Sequence, residues 1–254
     1  MVRRNKMRLS APLAPAPTCE WALFLDVDGT LLDFAPTPDA VEVPPSLIDV
    51  LTRLHTQLQG ALALISGRSI ATLDQLFEPL RLPCAGLHGI ERRDDRGRLH
   101  RMAVDEAVLV RLHSAIRELA ITFPDVRIED KLYAVALHYS ENEARQAELR
   151  VCAESIARDT GFELQPGRLV FELKPPSVNK GDALTAFLTE APFAGRLPVF
   201  LGDDLTDEHA LDVARKCGGM AIQVGTRLSG AAQFALTDPA AVQRWLQHWG
   251  EDLS

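Results

Sequence analysis

Residues 21–34 of the chain read WALFLDVDGTLLDF, from Trp21 to Phe34. Five apolar residues followed by a Gly-Thr turn signal predict a buried β-strand whose C-terminal end delivers Asp26 and Asp28. Side chains two apart on extended backbone share a face, so the two carboxylates stand side by side while Val27 turns away. Like charges this close repel unless a cation or a proton is shared, so the pair calls for a metal or for chemistry.

Downstream, Ala35 to Pro45 carries prolines at 36, 38, 44 and 45, a crossing without regular structure. Ser46 is the expected N-cap of a helix from Leu47 to Gln59, with Leu47, Val50, Leu51, Leu54 and Leu58 on one stripe. Ala61–Ile65 reads as a second buried strand ending in Ser66-Gly67-Arg68, and Ile70–Phe77 returns to helical spacing. A third strand at Cys84–Leu87 ends in His88-Gly89. Strands alternating with helices argue for βαβ units and a parallel sheet, which binds ligands beyond the C-terminal ends of its strands.

The middle of the chain changes rhythm. Glu91–Arg101 reads as a charged hairpin, followed by a helix at 104–122, strands near 126–129 and 133–139, a helix at 141–160, and strands at 162–165 and 169–173 joined through Pro166, Gly167 and Arg168. This αββαββ order cannot continue a parallel sheet, because its paired strands are joined by short turns. The expected organisation is a leader over 1–19, a core over 20–95 and 176–254, and an inserted α+β unit over 96–175. From Asn179 the α/β rhythm resumes: a helix from Lys180 to Leu188, a strand at 197–201 ending in Gly202-Asp203-Asp204, a helix at 207–216, a strand at 220–224 and a closing helix from Pro239 to Trp249.

Composition narrows the function. With 35 acidic against 27 basic residues the formal net charge is -8, which argues against nucleic acid as the partner. Cys19, Cys84, Cys152 and Cys217 form no metal-ligand or disulfide spacing, so a reduced cytoplasmic setting is the simplest reading. No run of 18 apolar residues points to a membrane span.

Asp26 with Asp28, Ser66, Lys180, and Asp203 with Asp204 all fall at strand ends or helix starts on one edge. Several carboxylates with a lysine and a hydroxyl suit an oxygen-liganded Mg²⁺ and a phosphoryl group. One carboxylate can attack phosphorus while a second protonates the leaving oxygen and later takes a proton from water. Each piece alone has an ordinary reading, as a turn, a cap or a solvated lysine; their order along one chain does not.

The four segments, Asp26-Val27-Asp28-Gly29-Thr30, Ser66, Lys180 and Gly202-Asp203-Asp204, resemble the four motifs of the haloacid dehalogenase (HAD) superfamily of phosphohydrolases. Within it, SGR at 66–68, LHGIERR at 87–93, EDK at 129–131, GRLVFELKP at 167–175 and GDDLTDE at 202–208 resemble the trehalose-6-phosphate phosphatase family. The resemblance implies a HAD-like Rossmannoid core with an inserted C2B-type cap, and Mg²⁺-dependent hydrolysis of trehalose 6-phosphate through an aspartyl-phosphate. It implies Asp26 as nucleophile, Asp28 as general acid and base, and Asp26, the Asp28 carbonyl and Asp203 as metal ligands, with Asp204 or Asp207 in support. Ser66, Lys180 and the Gly29 N–H would hold the phosphoryl group; His88, Glu129, Lys131 and Glu172 would hold sugar hydroxyls. After His138 and Tyr139 the family often has arginine where this chain has Ser140, so one sugar contact passes to Arg145 or is not made. The expected enzyme is monomeric and functionally coupled to a trehalose-6-phosphate synthase. The competing readings are a phosphatase of another sugar phosphate, such as sucrose 6-phosphate, and a non-catalytic sugar-phosphate sensor.

Overall fold

A computed structural model describes residues 20–35, 40–140, 142–167, 169–176, 178–227 and 229–252. The leader over 1–19 with Cys19, together with Pro36, Pro38, Glu141 and Arg168, lies outside them. The chain divides into two compact units, 1–100 with 179–254, and 101–178.

The first unit is built on an eight-stranded sheet. In chain order its strands are β1 (Trp21–Leu25), β2 (Leu62–Ile65), β3 (Cys84–Gly86), β4 (Glu91–Arg93), β5 (Leu99–Arg101), β10 (Leu197–Gly202), β11 (Met220–Val224) and β12 (Phe234–Leu236). Across the sheet they run β12-β11-β10-β1-β2-β3-β4-β5. β1 is central, parallel to β10 on one side and to β2 on the other, with Leu25 level with Leu201 and with Leu64. Every residue of β1 is buried, as expected of a parallel strand covered on both faces. Phe24 packs on Phe187 and Phe193 with centroids 5.9 and 5.3 Å away. The sheet turns antiparallel only at β4, which pairs with β3.

Helices α1 (Pro45–Gln57), α2 (Ile70–Leu76), α5 (Lys180–Leu188), α6 (Glu208–Lys216) and α7 (Pro239–Asp252) complete this unit. Helix α1 starts earlier than the sequence reading had it. Its N-cap is Pro44 with Pro45 in the first turn, and no side chain caps it, so Ser46 is already helical; proline's fixed φ makes it a natural opening residue. Strand β12 was not anticipated, since three half-buried residues carry no alternation to read.

The second unit carries α3 (Glu106–Thr122) and α4 (Glu143–Thr160) with strands β6 (Arg127–Asp130), β7 (Val135–His138), β8 (Glu163–Gly167) and β9 (Val170–Lys174), all antiparallel in the order β6-β7-β9-β8. Its chain order is αββαββ. The hairpin tip at 96–100, assigned to the inserted unit from sequence, belongs to the first unit, where β4 and β5 extend the large sheet. One sheet face presents Leu137, Phe171 and Leu173 to Leu112, Ile116 and Leu119 of α3 and Leu149 and Ala153 of α4. The alternation of strand side chains leaves Arg127, Glu129, His138 and Glu172 on the other face.

Candidate active site

The site in the first unit grows from the ends of β1 and β10. Because Leu25 is level with Leu201, Asp26 and Asp203 emerge from neighbouring strands within one residue of the same height. Gly29 lets the carboxylates approach. Its φ is +83°, and a Cβ there would lie 2.3 Å from Asp203 Oδ2, so any side chain would displace Asp203. The Gly29 N–H, expected to donate to a phosphoryl group, instead donates to Leu32 O at 2.8 Å. The Thr30 hydroxyl lies 3.1 Å from Asp26 Oδ2 and 3.4 Å from Asp203 Oδ1.

Lys180 enters as the first residue of α5, whose N-cap Asn179 accepts from Gly181 and Asp182 N–H. Its Nζ donates to Asp26 Oδ1 and to Asp207 Oδ1, both at 2.7 Å, with all three side chains buried. Removing one member of such a buried ionic set costs about 3–5 kcal/mol, because the others are left without partners. Asp207 Oδ2 accepts the backbone N–H of Asp203 and of Asp204, at 2.9 and 3.1 Å. Asp207 therefore shapes the Asp203 loop. Asp204 caps its own short turn by accepting from Thr206 N–H and Oγ1.

Burial pushes the Asp26 carboxyl up to about 7, with Asp203 and Asp204 raising it further and Lys180 opposing them. Burial likewise pushes Asp203 to about 7, reinforced by Asp207 and Asp204, and Asp207 to about 7, reinforced by Asp26. Lys180 stays well above its ordinary value because Asp207 and Asp26 overcome its burial. One ammonium is too little charge for these carboxylates, so the cluster holds protons unless a cation replaces them. Oxygens of Asp26, Asp203 and Asp207 lie within 4.8 Å of one another, and an oxygen-only donor set suits a hard divalent cation. A second cluster, Asp94, His100 and Glu190, is otherwise engaged: Asp94 takes the N–H groups of Arg96 and Arg98, the Arg98 side chain and His100, and so ties the hairpin.

Asp28 is held by Arg68. Nε and Nη2 of the guanidinium donate to Asp28 Oδ2 and Oδ1, each at 2.7 Å, a fork-to-carboxylate fit only arginine provides. Ser66 is buried one residue past β2, and its Oγ accepts from Arg68 N–H at 3.1 Å. His88 sits beside it: its N–H donates to Ser66 O, and a Cβ on Gly67 would meet its ring at 2.9 Å. Leu87 and His88 both take positive φ, 51° and 58°, a strained pair of the kind found where a side chain must be aimed.

In the second unit, Glu129, Ala136, Glu172 and Gln165 form one row across the four strands. Lys131 Nζ donates to Glu172 Oε1 at 3.0 Å, and His138 Nε2 lies 2.9 Å from Glu129 Oε2. The three expected sugar-binding residues of this unit thus share one polar face. Arg145 is not among them. It donates to Thr122 O at the end of α3 and to Asp125 beyond it, and stacks over Phe123. Sequence reasoning gave no role to Arg68 or Thr30; for Arg68 the SGR motif was the available signal.

The parallel core and the αββαββ unit have the fold of a Bacteroides thetaiotaomicron protein described among phosphatases of the haloalkanoate (HAD) enzyme superfamily, with a TM-score of 0.60 at 18% identity over 90% of this chain and 94% of that one. The family model for trehalose-phosphatase matches residues 24–240. A protein of Sinorhizobium fredii named "Probable trehalose-phosphate phosphatase" is 48% identical over 207 residues, covering 81% of this chain and 78% of its own. The trehalose-6-phosphate phosphatase of Escherichia coli K12 is 41% identical over 246 residues, covering 94% and 91%. Among solved structures, a trehalose-6-phosphate phosphatase related protein superposes with a TM-score of 0.77 at 27% identity, over 90% of this chain and 96% of that one. The chain belongs to the trehalose-phosphatase family.

Proposed function

We propose that the protein hydrolyses trehalose 6-phosphate to trehalose and phosphate, with Asp26 as the attacking carboxylate. The observation that carries the chemistry is Lys180 Nζ at 2.7 Å from Asp26 Oδ1, a buried cation against a carboxylate that must meet a phosphate dianion. Family membership carries the sugar.

Asp26 attacks phosphorus and forms an aspartyl-phosphate, while Asp28 protonates the leaving sugar oxygen and afterwards takes a proton from the hydrolytic water. Lys180 and Ser66 hold the phosphoryl oxygens; Gly29 serves by leaving room for Asp203. Asp26 and Asp203 with the Asp28 carbonyl would hold Mg²⁺, which when bound supplies the positive charge that the cluster lacks. Glu129, Lys131 and Glu172, with His88, recognise the disaccharide hydroxyls, since charged donors and acceptors discriminate a polyol from smaller esters. No helix among the described residues is long and apolar enough to cross a membrane, and the cytoplasmic setting rests on the cysteine pattern.

Phosphate release from a panel of sugar phosphates with Mg²⁺ tests the assignment. Trehalose 6-phosphate is expected to have the highest kcat/KM, and a preference for sucrose 6-phosphate or a monosaccharide ester would overturn it. Asp26→Asn is expected to bind the substrate and release no phosphate.

A further inference from the structure

The loop that carries Asp203 is clamped from both sides. Its two N–H groups are taken by Asp207, as described above, and its two carbonyls point the opposite way, toward Arg227. Arg227 Nε donates to Asp203 O at 3.1 Å and Nη2 to Asp204 O at 2.9 Å. Gln223, at the buried end of β11, adds a bond from Nε2 to Asp203 O at 2.7 Å, and its own Oε1 accepts from Arg227 Nη2 at 2.8 Å. The guanidinium is fixed in turn by Glu208 Oε1 at 2.6 Å, and Glu208 by the Ser229 hydroxyl at 3.0 Å.

We infer that Arg227 is a positioning residue for the metal ligand Asp203, acting through the backbone carbonyls of Asp203 and Asp204 and held by Gln223 and Glu208. The inference rests on the reading of Asp26 and Asp203 as metal ligands. With its N–H and C=O groups both spoken for, the Asp203 backbone has one orientation, and its carboxylate projects toward Asp26 without searching. Groups that orient a ligand from behind typically change metal affinity 10–100-fold when removed. Only a planar fork serves two successive carbonyls and a carboxylate at once, so lysine is not an equivalent replacement.

The test is Mn²⁺ binding by calorimetry on the whole protein, with Mg²⁺ activation of phosphate release measured alongside. Arg227→Ala is expected to weaken Mn²⁺ about tenfold or more and to raise the Mg²⁺ needed for half-maximal activity by a similar factor. The KM for sugar phosphate at saturating Mg²⁺ is expected to move far less. Arg227→Lys is expected to fall between Arg227→Ala and the parent, and it carries the test if Arg227→Ala does not fold. Unchanged Mn²⁺ affinity in a folded variant, or a loss confined to the KM for sugar phosphate, overturns the inference. Asp203→Asn separates the two levels: if it too leaves Mn²⁺ binding intact, it is the metal-site reading that fails.

Discussion

Arg68 grips Asp28 through two parallel hydrogen bonds of 2.7 Å across 40 residues of sequence. The grip fixes where the carboxylate sits and so, on the proposed reading, how it meets the leaving oxygen. Proton transfer to that oxygen matters most when the leaving group is poor. Arg68→Lys is therefore expected to lower kcat about tenfold or more on a sugar phosphate and far less on an aryl phosphate, whose phenolate leaves unaided. Comparing the two substrates checks it; equal losses would show that Arg68 serves phosphate binding instead.

The carboxylate cluster makes stability depend on pH in an unusual direction. Asp26, Asp203 and Asp207 are each raised to about 7 in the folded chain, whereas an unfolded aspartate titrates near 4. Between roughly pH 4 and 7 the folded state thus holds more protons than the unfolded one, and these groups make stability fall as pH rises. On the proposed reading a divalent cation replaces those protons. The shift in melting temperature on adding Mg²⁺ is expected to be small at pH 5.5 and to grow through pH 8, as thermal unfolding with and without the ion will show. A shift independent of pH would contradict the cluster's role.

Gly29 and Gly97 offer a matched pair. Both have φ near +80°, but a Cβ at Gly29 would meet Asp203 at 2.3 Å whereas one at Gly97 meets nothing within 4 Å. Gly97→Ala is expected to cost about 1 kcal/mol of backbone strain with activity intact. Gly29→Ala adds the displacement of Asp203 to that strain, with about 1–3 kcal/mol lost and activity reduced at least tenfold. Denaturant unfolding and steady-state kinetics on both variants separate strain from displacement.

Much of this molecule could be read before it was seen, for definable reasons. β1 is legible because a strand buried on both faces is an unbroken apolar run, and Asp26 and Asp28 because they break that run at its end. What stays hidden is pairing over distance. GDDLTDE offers three aspartates, of which the resemblance ranks only Asp203 as the metal ligand and leaves Asp204 and Asp207 undivided; folding shows that it is Asp207 that braces the loop. The SGR motif marks Arg68 but not its partner 40 residues away, and Arg227 looks like a surface arginine until its partner, 24 residues away, comes beside it. The left-handed Leu87 and His88 are equally invisible, since nothing in those residue types asks for positive φ.

The inserted unit yields the last prediction. Lys131, just past the end of β6, and Glu172 of β9 are 41 residues apart and meet at 3.0 Å on the polar face, while Glu129 is held below its ordinary carboxylate range chiefly by its hydrogen bond to His138. On the proposed reading these groups are pre-arranged as donors and acceptors for hydroxyls. They make no bond that exists only in the transition state of phosphoryl transfer, so their loss is expected to appear chiefly in substrate binding. Lys131→Ala is expected to raise the KM for trehalose 6-phosphate about tenfold and to leave hydrolysis of a small aryl phosphate nearly unchanged. Glu172→Gln keeps the shape but not the charge, and is expected to fall between that variant and the parent. Steady-state kinetics on the two substrates decides. A parallel fall in kcat on both would mean that this face supports the catalytic unit and does not read the sugar.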